Sequence, residues 1–259
     1  MIKELENYIE RLKRVAVAYS GGVDSTFLLA MSARVLGEEK VLAITIRSPL
    51  TPLWEVEFAA EFCRTRGIRH FLLDGSFILD DEQFTSNTTQ RCYFCKKRIL
   101  KVINAEIPPD VPLLTGTNAS DQLDFRPGMR AEEEMKVKTP LLELGFTKDN
   151  IREYSKAYDI PGFDRPPCAC FATRISYGEP ITLEKLRTIE KAETFMRNLG
   201  LGLVRVRLIP KDIACIEVPK EDIKRIFDLR ENISRQLGDI GFRRITLDLE
   251  GYKGGKRGF

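Results

Sequence analysis

The stretch VAVAYSGGVDST, residues 15–26, decides the fold of this chain. Its apolar first part is typical of a buried β-strand, and its last residues begin a stretch with helical periodicity. Between them lies a short turn, Ser20–Ser25, that is rich in glycine and hydroxyl groups. Such a turn presents backbone N–H groups and the positive end of a helix dipole to an anion. The sequence therefore predicts a phosphate-binding turn at the carboxyl end of a buried strand.

The residue types of the turn fit phosphate chemistry. Gly21 and Gly22 allow a close backbone approach, and Ser20 and Ser25 add hydroxyl donors. Asp24 is only an acceptor, so beside phosphates it indicates Mg²⁺. The turn lacks the lysine of GxxxxGK[ST] and the spacing of GxGxxG, which disfavours γ-phosphoryl transfer and dinucleotide binding. The alternative is an ordinary strand–helix connection capped by Asp24 or Ser25.

Short apolar runs alternate with helical patterns along the first part of the chain. The predicted strands are Val15–Tyr19, Val41–Ile46, His70–Leu73 and Leu113–Thr115, and the predicted helices are Thr26–Leu36, Trp54–Arg66 and Tyr93–Ala105. Continuous apolar runs are typical of a parallel sheet that is covered on both faces. Residues 1–170 are therefore expected to form a doubly wound α/β domain.

The pattern changes after Pro180. A helix, two adjacent strands, a helical stretch and a last strand are predicted in this order: Leu183–Leu199, Leu203–Leu208, Ile213–Val218, Glu221–Leu237 and Phe242–Leu249. This order predicts a smaller α+β domain over residues 171–259.

Composition excludes several classes of protein. The chain has 259 residues and a net charge of +3, without the basic stripe that is typical of nucleic-acid binding. Its first residues lack the apolar centre of a secretory signal, and no run of about 18 apolar residues is present. We expect a soluble, cytoplasmic protein that does not bind a membrane, and the charge balance gives no indication of nucleic-acid binding.

A second polar stretch, LLTGTNASDQLDFRPGMRA from Leu113, also follows a predicted strand. Asp121 and Asp124 are candidate Mg²⁺ ligands. Arg126 and Arg130 are candidate bidentate hydrogen-bond donors to a phosphate or carboxylate. The alternative is a solvated turn with surface charges.

The six cysteines do not indicate disulfides in a reducing compartment. Cys63 and Cys215 lie among apolar neighbours and are predicted to be buried thiols. The other four form a C-x₂-C pair, Cys92 and Cys95, and a C-x-C pair, Cys168 and Cys170. Spacing alone allows either an iron–sulfur cluster or a closed structural zinc site. The only histidine is His70, which excludes His-based triads and His-ligated metal sites.

The turn SGGVDS resembles the PP-loop of the ATP pyrophosphatases, which implies adenylation with release of pyrophosphate. The stretches RPGMRAEEEMKVKTPLLELGFTKDNIREYS, FDRPPCACFATRISYGEPIT and LVRVRLIPKDIACIEV, with the terminal TLDLEGY, are similar to the LarE family. That likeness covers nearly the whole chain. It implies an enzyme that adenylates a carboxylate of a pyridinium-biscarboxylate mononucleotide, after which sulfur displaces AMP and leaves a thiocarboxylate of the nickel-pincer cofactor pathway.

The resemblance also assigns site residues. It implies that the nucleotide is bound by the whole turn, which consists of Ser20, Gly21, Gly22, Val23, Asp24 and Ser25. It also implies nucleotide binding by two further residues, Ile44 and Gly116. Mg²⁺ is expected on Asp24 and Asp121. The substrate's phosphate and carboxylates are expected at Arg174, Arg205 and Arg207, with Glu193 a further candidate. Arg205 and Arg207 alternate along a strand and share one face, which without the likeness would indicate an exposed strand face.

The resemblance offers two sulfur sources. In one form of the family a single cysteine gives up its own sulfur and becomes dehydroalanine. In another, three cysteines hold a [4Fe–4S] cluster whose unique iron binds an extra sulfide. Cys170 matches the reactive cysteine, and the added C-x₂-C pair favours a cluster on Cys92, Cys95 and Cys170, with Cys168 either a ligand or a spare thiol. The likeness also implies a sulfur donor and a homo-oligomer formed through the smaller domain.

Three other functions remain open from the sequence. A PP-loop tRNA thiolase would also pair the turn with C-x₂-C, but it should carry a basic RNA-binding surface. An ammonia-dependent synthetase of the NAD or GMP type needs no clustered cysteines. A non-catalytic nucleotide sensor would bind ATP without releasing pyrophosphate.

Overall fold

The computed structural model describes residues 1–123 and 127–253. The chain forms two compact units, of which the first contains Met1–Ile78 and Cys92–Pro167. The second contains Leu79–Arg91 and the chain from Cys168 onward. No pattern in the sequence marks the segment Leu79–Arg91 for the second unit. The functional division expected near residue 170, into an ATP-binding and a substrate-binding domain, stays a prediction.

Among the described residues, the first unit holds a four-stranded parallel sheet in the order β3-β2-β1-β4. Its strands are β1 (Val15–Ala18), β2 (Val41–Arg47), β3 (Arg69–Asp74) and β4 (Leu113–Leu114). Because β1 lies between β2 and β4, the turn that follows β1 opens at the centre of the carboxyl edge of the sheet. Ligands of open α/β sheets bind at this edge.

Helices occur in both units. In chain order they are α1 (Ile2–Leu12), α2 (Val23–Leu36), α3 (Leu53–Thr65), α4 (Glu82–Thr85), α5 (Arg91–Glu106), α6 (Gly128–Glu134), α7 (Pro140–Glu143), α8 (Lys148–Ala157), α9 (Leu183–Asn198), α10 (Ile223–Asp228) and α11 (Arg230–Ile240). None of the described helices is long and apolar enough to cross a membrane.

Helices cover both faces of the parallel sheet. Val15 and Val17 of β1 pack in one core cluster with α2, while Ala16 packs in the other with Leu100 of α5. Successive residues of a strand point to opposite faces, so the alternation along β1 requires two covered faces. The expected doubly wound α/β fold is confirmed.

The second unit contains a smaller sheet in the order β5-β6-β7. Its strands are β5 (Arg205–Ile209), β6 (Ile213–Glu217) and β7 (Arg244–Leu247), with β5 antiparallel and β7 parallel to β6. The α+β order expected after Pro180 is confirmed. The helical stretch expected over Glu221–Leu237 consists of two helices, because Leu229 (φ −93°, ψ 4°) separates α10 from α11.

Candidate active site

The turn after β1 has the geometry of an anion-binding loop. Gly21 is buried with φ +80°, a conformation that strongly favours glycine, and a Cβ there would lie 2.7 Å from the carbonyl oxygen of Glu55. The Ser20 and Ser25 hydroxyl oxygens are 3.0 Å apart, and the Gly22 N–H donates to Ser20 Oγ at 3.3 Å. The turn is therefore compact, and its shape depends on glycine.

The amino end of α2 carries no side-chain cap. Gly22 occupies the capping position, and Ser25 Oγ donates to the Gly22 carbonyl at 3.1 Å instead of accepting from the amides of the first turn. The ordinary connection capped by Asp24 or Ser25 is therefore not observed. Uncapped amides at a helix amino terminus favour the binding of an anion. Because α2 is 14 residues long, the positive end of its dipole also favours an anion at this position.

The loop after β4 packs directly on the start of α2. A Cβ at Gly116 would lie 2.8 Å from the backbone nitrogen of Ser25 and 3.0 Å from the Asp24 carbonyl carbon. The side-chain amide of Asn118, which is fully buried, donates to Asp24 Oδ2 at 3.0 Å. The two polar stretches that the sequence singled out therefore meet at one site, as expected for strands β1 and β4, which are neighbours.

Asp24 and Asp121, the expected Mg²⁺ ligands, both contact Asn118. The backbone N–H of Asn118 donates to Asp121 Oδ2 at 3.3 Å, and Lys148 Nζ lies 3.3 Å from Asp121 Oδ1. In the part of the chain that the structure describes, no three His, Cys, Asp or Glu side chains group closely enough to hold a metal ion. Mg²⁺ commonly takes one or two carboxylates together with substrate phosphates, so these two carboxylates fit that mode. Asp124 and Arg126 lie outside the described residues.

Arg130 and Ile44 make contacts that the sequence did not suggest. The Arg130 guanidinium stacks on the ring of Tyr93, 3.7 Å from its centroid, and its Nε lies 3.6 Å from Glu134 Oε1. The Ile44 side chain lies in the core, and its carbonyl accepts from the Tyr19 N–H at 2.8 Å. The expectation that both contact the nucleotide stays a prediction.

Arg165 contacts the turn, which sequence reasoning missed. Its Nη1 donates to the carbonyl oxygen of Gly21 at 3.1 Å, and its Nη2 donates to Glu55 Oε1 at 3.2 Å. The guanidinium lies 4.0 Å from the ring centroid of Phe58 and 4.8 Å from that of Trp54. The only signal in the sequence was its place in the stretch FDRPPC.

The cysteines fall into two groups by burial. Cys63 and Cys215 are buried, and burial raises the pKa of both thiols, that of Cys63 to about 12. The prediction that they are plain buried thiols is confirmed. Cys168 is half-buried and Cys170 is exposed.

Cys92 and Cys95 lie three residues apart near the start of α5, and both are half-buried. Residues at this spacing are neighbours on one helix face, so the two thiols can reach a common metal centre. Cys92 and Cys95 belong to the first unit, whereas Cys168 and Cys170 belong to the second.

Arg174 lies in the interior of the second unit, with 1% of its side chain exposed. Its Nε and Nη2 donate to the two carboxylate oxygens of Glu193 at 2.7 and 2.9 Å. Its Nη1 donates to the carbonyl oxygens of Ala169 and Cys170 at 2.7 and 3.2 Å. Arg174 therefore holds the backbone at Ala169 and Cys170, and the expectation that it contacts the substrate directly stays a prediction.

Arg205 and Arg207 are buried, so the alternative of an exposed strand face is wrong. Arg207 Nε donates to Glu217 Oε1 at 2.5 Å, and its Nη1 donates to the Thr173 carbonyl at 2.9 Å. Burial lowers the pKa of Arg205, the charge of Arg174 lowers it further, and Glu193 opposes both. An anion bound beside Arg205 would therefore stabilise the charged form of this side chain.

The fold and this turn define a PP-loop ATP pyrophosphatase, the class of enzymes that convert ATP into AMP and pyrophosphate. The profile of the NAD synthase family matches residues 1–90, which contain the turn. Three relatives match nearly the whole chain.

The pyridinium-3,5-bisthiocarboxylic acid mononucleotide synthase of Lactiplantibacillus plantarum is 32% identical over 96% of this chain and 90% of its own length. An uncharacterized protein of Synechocystis sp. is 36% identical over 98% of this chain and 96% of its own length. Another uncharacterized protein, from Methanocaldococcus jannaschii, is 30% identical over 98% of this chain and 97% of its own length. The chain belongs to the LarE family of PP-loop proteins and is an ATP-dependent sulfur transferase.

Proposed function

We propose that this enzyme adenylates a carboxylate of pyridinium-3,5-biscarboxylic acid mononucleotide and replaces it with a thiocarboxylate. The likeness to the Lactiplantibacillus plantarum synthase over 96% of the chain is the observation that carries the proposal. An alternative with a tRNA substrate has no support from composition, because acidic and basic residues nearly balance.

The first step is adenylation. A substrate carboxylate oxygen attacks the α-phosphorus of ATP, and the bond to the bridging oxygen breaks, so that pyrophosphate leaves with the electron pair. The amides at the start of α2 and the serine hydroxyls of the turn are aimed to receive the negative charge of the leaving group. Asp24 and Asp121 would hold Mg²⁺, which neutralises phosphate charge when bound.

The second step forms the carbon–sulfur bond. A sulfur nucleophile attacks the acyl carbon of the adenylate, and AMP leaves with the electrons of the carbon–oxygen bond. Arg205 and Arg207 supply cationic donors for the substrate's anionic groups, and Glu193 holds Arg174 in place. Arg174 in turn fixes the carbonyls of Ala169 and Cys170, so the cysteine segment is ordered by a buried ion pair.

We propose Cys92, Cys95 and Cys170 as the three ligands of a [4Fe–4S] cluster. Such a cluster would have one iron without a protein ligand, and when the cluster is bound this iron would hold the extra sulfide that serves as the sulfur nucleophile. The helical i, i+3 placement of Cys92 and Cys95 supports shared ligation by these two thiols. A closed Cys₄ zinc site that includes Cys168 is the competing assignment.

The test is anaerobic reconstitution with iron and sulfide, followed by a single-turnover assay with ATP, Mg²⁺ and the biscarboxylate mononucleotide. We expect a brown protein, pyrophosphate release that depends on the mononucleotide, and a thiocarboxylate product by mass spectrometry. Cys92→Ser and Cys95→Ser should abolish both colour and thiolation, whereas pyrophosphate release should persist.

Several outcomes would contradict these assignments. Turnover with ammonia that survives Cys92→Ser would favour a synthetase, and salt-dependent tRNA binding would favour a tRNA thiolase. Dehydroalanine at Cys170 after turnover would make that cysteine the sulfur source. A colourless protein that holds zinc would overturn the cluster, and Cys168→Ser decides whether Cys168 is a ligand.

We further propose a homo-oligomer assembled through the second unit. Light scattering of the purified protein tests this, and a monomer at assay concentration would overturn it.

A further inference from the structure

A side chain of the segment that precedes Cys168, residues 161–167 (PGFDRPP), contacts the phosphate-binding turn. That side chain is Arg165, which donates from Nη1 to the carbonyl oxygen of Gly21. Thr26 Oγ1 also approaches this oxygen, at 3.4 Å, but its shorter bond, at 2.8 Å, goes to the Gly22 carbonyl. Arg165 is therefore the stronger donor to Gly21 in the described part of the chain.

A bond to the Gly21 carbonyl also orients the next amide. The peptide unit is planar and trans, so the C=O of Gly21 and the N–H of Gly22 point in opposite directions. When Arg165 holds the oxygen, the Gly22 N–H points the opposite way within the same peptide plane, into the turn. There it lies 3.3 Å from Ser20 Oγ, a long bond that a phosphate oxygen could replace.

Arg165 is itself firmly positioned. Its guanidinium contacts the rings of Trp54 and Phe58, and its Nη2 donates to Glu55 Oε1. Arg152 Nη2 donates to the backbone carbonyl of Arg165 at 3.0 Å. Because both the side chain and the backbone of Arg165 are held, its bond to Gly21 costs little entropy to form.

Glu55 connects the same two elements a second time. Its carboxylate, on a residue with 7% exposure, accepts from Arg165, and its backbone oxygen is the atom that a Cβ at Gly21 would strike. The turn after β1 therefore contacts both the first turn of α3 and the 161–167 segment, which also contact each other. A substitution of Arg165 should therefore alter the orientation of the Gly21–Gly22 peptide.

We propose that Arg165 is a positioning residue that aims the Gly22 amide at the pyrophosphate portion of ATP. The inference rests on the ATP dependence of this enzyme and not on the identity of its carboxylate substrate. Arg165 itself donates to protein acceptors in the structure, so it acts through the backbone and not as a catalytic residue.

The test compares Mg·ATP and AMP binding by calorimetry in Arg165→Ala, Arg165→Lys and the wild type. We expect Arg165→Ala to weaken ATP binding about tenfold or more, which corresponds to about 1.4 kcal/mol. AMP has no pyrophosphate portion, so its affinity should stay within about twofold. Arg165→Lys keeps one donor and should fall between the two.

The matched control is Arg66→Ala. Arg66 also stacks on an aromatic ring at α3, 4.2 Å from the centroid of Phe62. We expect this variant to bind ATP and AMP as the wild type does. Trp54 is the only tryptophan, so its emission should change in Arg165→Ala and not in Arg66→Ala.

Unchanged ATP affinity in both Arg165 variants, or an equal loss of ATP and AMP affinity, would overturn the inference. If Arg165→Ala does not fold, Arg165→Lys carries the same comparison. A wild type that binds Mg·ATP and does not thiolate the pyridinium mononucleotide would overturn the proposed function, and the binding comparison would still decide the role of Arg165.

Discussion

Asn118 and Asp24 are 94 residues apart in the sequence, and Asn118 Nδ2 donates to Asp24 Oδ2 at 3.0 Å. This bond ties the loop after β4 to the first turn of α2. It fixes the orientation of the carboxylate that is expected to face Mg²⁺, and Asn118 itself has no exposed surface. A polar group so deeply buried is costly to leave without a partner.

Asn118→Ala should lower the free energy of unfolding by about 1–3 kcal/mol and reduce ATP-dependent pyrophosphate release about tenfold, because Asp24 loses its orienting donor. Urea denaturation and a pyrophosphate assay measure the two effects. Asn150→Ala is a matched control, since Asn150 accepts from Thr147 in the capping box of α8. It should cost about 1 kcal/mol of stability without a loss of activity. Equal activity in the two variants would contradict the role of Asn118.

Gly116→Ala should abolish measurable ATP binding. The added Cβ would lie 2.8 Å from the Ser25 nitrogen, so either the loop after β4 or the start of α2 has to move. Calorimetry with Mg·ATP measures the effect. Gly238→Ala is the control, because a Cβ there meets nothing within 4 Å and lies within α11. It should bind ATP normally and gain up to about 1 kcal/mol of stability. Normal ATP binding by Gly116→Ala would show that the packing at Gly116 is dispensable.

The features that local pattern determines were predictable from the sequence. The parallel sheet, the glycine turn and the two buried thiols each follow from residues that are near one another in the chain. The roles of Asn118 and Arg165 were not predictable, because their partners lie across the fold. The burial of Arg205 and Arg207 was also missed, since period-two alternation is the same for a buried and an exposed strand face. Their burial depends on acceptors such as Glu217 from the neighbouring strand.

The Arg174–Glu193 pair should be essential for the stability of the second unit. Burial lowers the pKa of the Arg174 guanidinium, but the charge and hydrogen bonds of Glu193, together with Cys168 and Cys170, raise it overall, so Arg174 remains charged. Arg174→Ala leaves the Glu193 carboxylate buried without its fork and should cost about 3–5 kcal/mol in urea denaturation. The double variant Arg174→Met with Glu193→Leu should recover part of this loss, because neither charge is then buried. A double variant no more stable than Arg174→Ala would contradict this account.

His70 should make the stability of the protein depend on pH. Its Nε2 lies 2.8 Å from Thr45 Oγ1, and that hydroxyl donates to the Tyr19 carbonyl at 2.6 Å. The Thr45 oxygen therefore accepts from Nε2–H, and burial lowers the pKa of His70 below its ordinary value. Below about pH 6.5 the unfolded chain binds a proton more readily than the folded one, so the free energy of unfolding falls as the pH falls.

His70→Gln retains an N–H donor for Thr45 but does not titrate. Unfolding free energies measured in urea from pH 7.5 to pH 5.5 should therefore decline less steeply in this variant than in the wild type, by up to about 1.4 kcal/mol per pH unit. Other groups titrate in both proteins, so the difference between the two curves isolates His70. Parallel curves over this range would show that protonation of His70 is not linked to folding.

Because Tyr19 leads directly into the phosphate-binding turn, the same fall in pH should weaken Mg·ATP binding in the wild type more than in His70→Gln.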